Sequence, residues 1–130
     1  MFKRIVVGTA KTESAKRAVA VAVEQARANN AELHLVMVID LHDSGNEPAK
    51  NQAEGYLDSI ALGLPGMVVN GHVIPGTAAE GILQVATEVS ADLIVVGNKG
   101  MRGAGRVLGS VPNTVAHKAG SSVLIVNTTT

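Results

Sequence analysis

DLIVVGNKGMRGAGRVLGS, residues Asp92–Ser110, is the stretch on which the fold turns. Leu93-Ile94-Val95-Val96 is a short apolar, mostly β-branched run that stops at Gly97, the pattern of a strand buried on both faces. A loop follows with Gly97, Gly100, Gly103, Gly105 and Gly109, the cations Lys99, Arg102 and Arg106, and no carboxylate. At Ser110 a helical pattern begins, with Ser110 in the position of an N-cap. Glycine-rich loops are common surface connections. A cationic one placed between a strand and a helix start is suited to an anion such as phosphate.

Working outward, the same alternation repeats. KRIVVG (3–8) reads as a first strand, Thr9–Thr12 as a turn, and Thr12 as the cap of a helix reaching about Asn29. Its Ala15, Ala18, Val19, Ala22, Val23 and Ala26 recur at helical spacing. Glu32–Asp40 is the second strand, and Leu41–Asn46 a polar loop. Pro48 suits the first turn of a second helix, which carries Ala53, Tyr56, Leu57, Ile60, Ala61 and Leu64 and ends at Pro65-Gly66. Met67–Ile74 is the third strand, closed by Pro75-Gly76. Thr77-Ala78-Ala79-Glu80 is a capping-box pattern opening a third helix with Ile82, Leu83, Ala86 and Val89 inward. Ser110–Ala119 is the fourth helix, with Val111, Val115 and Ala119 inward and Gly120 just past its end. Ser122–Asn127 is the fifth strand and Thr128–Thr130 a tail. Five strands alternating with four helices give a parallel α/β sandwich, in which ligands sit beyond the carboxyl ends of the strands.

Composition narrows the function. The 130 residues suit one domain, residues 1–130, with a proper core. One Phe, one Tyr and no Trp leave no aromatic platform for stacking bases, and a formal net charge of zero gives no general attraction to nucleic acid. Without Cys there is no disulfide, thiolate ligand or cysteine nucleophile. No apolar run suits a signal peptide or a membrane span, so a soluble, cytoplasmic protein with no membrane partner is expected. Charge is nevertheless segregated: nine acids and only Lys50 as a base lie between Glu32 and Asp92, whereas the residues after Asp92 carry no acid. This places the preference for an anion in the glycine loop.

Catalytic machinery is not visible. The loop is not a Walker sequence, because Gly-Lys-Ser/Thr is missing, and Gly103–Leu108 starts like a dinucleotide fingerprint but has Leu108 where the third glycine belongs. His34, His42, His72 and His117 lack metal-ligand spacing, which assigns them structural or surface roles and no metal. Asp40 and Asp43 read as solvated loop acids, and neither Ser14 nor Ser110 sits in a Gly-x-Ser-x-Gly setting. The last strand, Val123-Leu124-Ile125-Val126, would leave an apolar edge to be covered.

IVVGTA (5–10), HLVMVID (34–40), GTAAEGIL (76–83), DLIVVGNKG (92–100), LGSVPNTV (108–115) and VLIV (123–126) occur in an order that resembles the universal stress protein family over essentially the whole chain. The resemblance implies an adenine nucleotide alpha hydrolase-like (Rossmann-like) sheet of order 3-2-1-4-5, with the switch point between strands one and four. It implies that Gly8, Thr9 and Ala10 line base and ribose, and that backbone near Val38 meets the adenine edge. Gly97, Lys99, Gly100, Gly109, Ser110 and Val111 would hold phosphates, with Mg accompanying ATP. It also implies a homodimer formed by antiparallel pairing of Val123–Val126. The sequence departs from the family at two places: eight residues, where the nucleotide-binding pattern has nine, separate Gly100 from Gly109, and Ala10 stands where an aspartate is usual. Three functions therefore stay open. One is a stress-response regulator binding ATP, AMP or cyclic AMP; another is a dimeric interaction module without nucleotide; the third is a slow ATP hydrolase.

Overall fold

A computed structural model describes residues 1–98 and 108–128 of the chain. Its elements run β1 (Arg4–Gly8), α1 (Glu13–Asn29), β2 (Glu32–Ile39), a 3-10 turn (Leu41–Asp43), α2 (Glu47–Leu62), β3 (Val69–Pro75), α3 (Ala78–Glu88), β4 (Leu93–Gly97), α4 (Ser110–Lys118) and β5 (Ser122–Val126). The five strands form one sheet in the order β3-β2-β1-β4-β5, every neighbouring pair parallel.

Local chemistry sets most of the boundaries. Thr12 Oγ1 accepts from the Ala15 N–H at 3.2 Å, Asn46 Oδ1 from Ala49 at 3.1 Å, and Thr77 Oγ1 from Glu80 at 3.3 Å. Each bond satisfies one of the amides that a helix start leaves without an acceptor. Asn30 closes α1 in the left-handed conformation at φ 53°, which Asn adopts more readily than most residues. β3 starts at Val69, two residues later than its hydropathy suggests, because the turn through Gly66 at φ 81° occupies the residues before it.

One boundary differs in a way that affects the site. Ser110 is the first residue of α4, and the cap is Gly109, in extended backbone at φ −61° and ψ 162°. Ser110 therefore does not cap the helix as the sequence suggests; its own backbone is already helical, which takes the hydroxyl away from the capping position.

Strand alternation divides the core between the two faces of the sheet. Ile5, Val7, Leu33, Leu35, Leu93 and Val95 bury against Ala18, Ala22 and Ala26 of α1 and Leu57 of α2. Val6, Val36, Ile94 and Val96 face Ile82 and Val85 of α3 and Val115 of α4. Small alanines on α1 let that helix lie close to branched strand side chains. Asp92 ties down the start of the sheet by accepting N–H bonds from Lys3, at 2.8 and 3.1 Å, and from Arg4, at 3.1 Å.

Candidate functional site

β1 lies between β2 and β4; the chain leaves β1 toward β2 and leaves β4 toward β5, in opposite directions across the sheet. That reversal opens a crevice at the carboxyl ends of β1 and β4. The crevice has a volume of about 200 Å³, far above the roughly 10–15 Å³ one water requires. Gly8, Thr9, Ala10, Val38, Gly97 and Val111, assigned to the site from sequence, all line it. Gly109 and Ser110 stand at the adjoining start of α4, where Ser110 is exposed. Lys99 and Gly100, with Arg102, Arg106 and most of the shortened glycine segment, lie outside the described residues.

Each wall has a local cause. Thr9 continues the β1 ladder by donating its N–H to the Val36 carbonyl at 2.8 Å. Its hydroxyl is buried and has no hydrogen-bond partner among the described residues. Gly8 is packed so tightly that an added Cβ would stand 2.6 Å from Ile82 Cδ1, so α3 closes directly over the end of β1. At the mouth, the Tyr56 hydroxyl of α2 donates to the Ala10 carbonyl at 3.4 Å, and Lys11 Nζ stands 5.3 Å from the Tyr56 ring centroid. Ser110 and Val111 occupy the first turn of α4, whose N–H groups form the positive end of the helix.

Several contributors were not apparent from the sequence. Asn98 is 2% exposed, and its Oδ1 accepts both the Thr128 N–H, at 2.9 Å, and the Thr128 hydroxyl, at 3.1 Å. Its Nδ2 donates to Asn127 Oδ1 at 3.3 Å. Thr128, read as part of a tail, is in fact buried, lines the crevice and packs against Gly97. Its bonds link the end of β4 to the residue two past β5, a pairing thirty positions apart that no local pattern announces. Ile82 and Val96 were legible only as core positions, although both also reach the crevice.

Charge is absent from the described part of the crevice lining. Among the described lining residues there is neither an acid nor a base, and the position of the family's usual aspartate is an alanine methyl. No side chain there fits a magnesium ion, which prefers carboxylate and water oxygens.

Histidines and acids gather elsewhere. His34 Nδ1 lies 3.0 Å from His72 Nε2, and His34 Nε2 lies 3.1 Å from Glu32 Oε1. Burial and the neighbouring His34 hold the His72 imidazole below its usual pKa, partly offset by Glu88. Asp40, His42 and Asp43 cluster beyond β2, with one ligand atom from each within 4.8 Å of the others. For Asp92, burial raises the carboxyl pKa, but the N–H bonds of Lys3 and Arg4, its own N–H and the N-terminal ammonium outweigh that, and the net shift is downward.

Comparison with known proteins agrees with this architecture. The model of the Universal stress protein family matches residues 1–127. A universal stress protein of Mycobacterium tuberculosis (strain H37Rv) is 32% identical over 143 residues, covering 98% of each chain. Another, from Thermus aquaticus, is 34% identical over 136 residues, covering 97% of this chain and 99% of its own. A crystal structure of a universal stress protein in complex with cAMP superposes with a TM-score of 0.78 at 33% identity, over 98% of both chains. With the 3-2-1-4-5 parallel sheet of the adenine nucleotide alpha hydrolase-like fold and a match spanning nearly its whole length, the chain belongs to the universal stress protein family.

Proposed function

We propose that this chain is a stress-response regulator that binds an adenine nucleotide (ATP, AMP or cyclic AMP) in the crevice between β1 and β4. The observation that carries this reading is the convergence of Gly8–Ala10, Val38, Gly97 and Val111 on one crevice beside the start of α4. A 33% identical structural relative is a cAMP complex, which supports the same ligand class. In this reading the base lies in the apolar part, against Val38 and the Gly8–Ala10 backbone. The phosphate points at the N–H groups of Ser110 and Val111, where the helix end favours negative charge. Gly109, the cap of α4, belongs to the same phosphate side, to which the sequence motif also assigns Lys99 and Gly100. Residues 1–130 act as one domain in the cytoplasm. β5 is the end strand of the sheet and Ile125 is 37% exposed. Antiparallel pairing of Val123–Val126 with a second copy would cover that edge and form a homodimer.

The test is direct. Purified protein is denatured and its supernatant assayed for nucleotide, and the native protein is melted with ATP, AMP or cyclic AMP, with and without EDTA. At a ligand concentration about a hundredfold above Kd, linkage gives about 2.7 kcal/mol of stabilisation. For 130 residues this corresponds to roughly 10 °C, using about 2.1 cal/mol/K of unfolding entropy per residue. The absence of both co-purified nucleotide and a melting shift would sink the proposal. A specific observation favours the second reading, a dimeric interaction module without nucleotide: Ala10 removes the usual carboxylate contact. That result would then be the expected one.

A further inference from the structure

We propose that His34 and His72 form a binding site for a zinc-class transition-metal ion, which His34 Nδ1 and His72 Nε2 ligate directly. The two residues are 38 positions apart in sequence, but the parallel register that sets Val36 beside His72 puts both rings on the α3 side of the sheet. Their ring nitrogens stand 3.0 Å apart and their ring centroids 5.2 Å apart. Two imidazoles on one tetrahedral ion, with bonds of about 2.0–2.1 Å, place their ligating nitrogens about 3.3 Å apart and their centroids about 5.2 Å apart. The backbone already holds the rings at that centroid separation. Converting the direct contact into a chelate therefore takes only a tilt of each ring, opening the nitrogens by a few tenths of an ångström.

The proton arrangement also fits. With Nε2–H of His34 donating to Glu32 Oε1 at 3.1 Å, the Nδ1 lone pair of His34 is fixed toward His72. In the metal-free pair the bridging hydrogen then comes from His72 Nε2. On binding, that proton moves to His72 Nδ1 and the Nε2 lone pair turns to the ion, so both rings stay neutral. A carboxylate behind a ligating histidine is the usual way a protein orients such a ligand and strengthens its basicity. Glu32 is itself held by Arg4, at 3.6 Å. Water can complete the coordination from the open side of His72. His34 is 5% exposed while His72, on the end strand β3, is half-buried, so the site is sheltered on one side and open on the other. An ion there cross-links β2 to β3 beside Val36, a residue of the crevice wall, and its ligation needs no nucleotide.

Untagged protein is stripped with EDTA, dialysed and titrated calorimetrically with zinc chloride, alongside His72→Ala, Glu32→Gln and His42→Ala. The expected result is saturable binding of one ion per chain. His72→Ala should weaken it at least about a hundredfold and Glu32→Gln about 10–100-fold, with His42→Ala unchanged. Circular dichroism in EDTA checks that each variant is folded. Should His72→Ala fail to fold, copper(II) electron paramagnetic resonance of the unmutated protein decides. Hyperfine coupling to two imidazole nitrogens supports the site, and coupling to one or none overturns it. Absence of saturable zinc binding, or binding lost in His42→Ala and kept in His72→Ala, also overturns it, the latter by moving the ion to Asp40, His42 and Asp43.

Discussion

Replacing Thr9 by valine keeps the branched shape and removes one buried oxygen. In the ligand-free protein that hydroxyl has no hydrogen-bond partner among the described residues, and Thr9 is 9% exposed. A buried hydroxyl without a partner costs about 1–3 kcal/mol relative to its hydrated state, and valine carries no such cost. The backbone bond from Thr9 to the Val36 carbonyl does not involve the side chain and survives the change. For a chain of 130 residues, with about 2.1 cal/mol/K of unfolding entropy per residue, 1 kcal/mol moves Tm by roughly 4 °C. Taking the lower end of the cost, Thr9→Val should raise the Tm of the nucleotide-free protein by about 4 °C in a reversible calorimetric melt. The same variant reports on the ligand. If the hydroxyl turns toward ribose or base on binding, its loss removes about 1 kcal/mol of affinity, about fivefold in Kd. The melt with AMP then shifts less than for the parent. A fall in Tm without ligand would refute the reasoning, because it would mean that the hydroxyl has a partner in solution.

Other substitutions probe other parts of the structure. Gly81→Val should lower Tm by several degrees, since even a Cβ at Gly81 would stand 2.8 Å from Val38 Cγ1; overpacking of this kind costs about 1–3 kcal/mol. The same change should weaken nucleotide binding by displacing Val38, and an unaltered melt would show that α3 can move away freely. Asp92→Asn should destabilise the fold by about 1 kcal/mol at neutral pH, a modest figure because the bonds from Lys3 and Arg4 are solvent-facing. The folded carboxyl titrates below its ordinary value of 3.8, so its contribution is complete above that value and fades as pH falls through it toward the folded value. Acid unfolding curves of parent and variant should therefore converge at low pH; a constant gap would show that the charge is not the cause. Ile125→Lys tests the homodimer without disturbing the core, because Ile125 is exposed whereas Leu124 packs inward. It should move the elution volume from dimer to monomer, and no change would count against pairing through β5. Ser110→Ala should weaken nucleotide binding only a few-fold, since the α4 backbone N–H groups remain. Complete loss, read by calorimetry, would assign the hydroxyl a larger role than its place in the first helical turn suggests.

Most of the elements were legible because their causes are local. Branched apolar runs at Ile5–Val7 and Leu93–Val96, alanines at helical spacing in α1, and the capping residues Thr12 and Thr77 each act within a few positions of themselves. The start of α4 at Ser110 was legible but its cap was not, because Gly109 and Ser110 are both acceptable caps and backbone conformation chooses between them. The crevice residues of β1 and β4 followed from strand ends and from the family's motifs. Thr128 and Asn98 did not, since a tail threonine and a loop asparagine carry no sign that they will bond to each other inside the protein.

By itself, then, the sequence determined the alternation of strands and helices, the glycine-rich basic segment, the family and, through the family's motifs, the strand order. Tertiary structure decided which side chains meet. Parallel register, a property of two strands together, brought His34 to His72; sheet order brought Thr9, Gly97 and Val111 around one crevice. Hydropathy and spacing record the environment each residue needs. Its contact partners are settled only when distant segments pack.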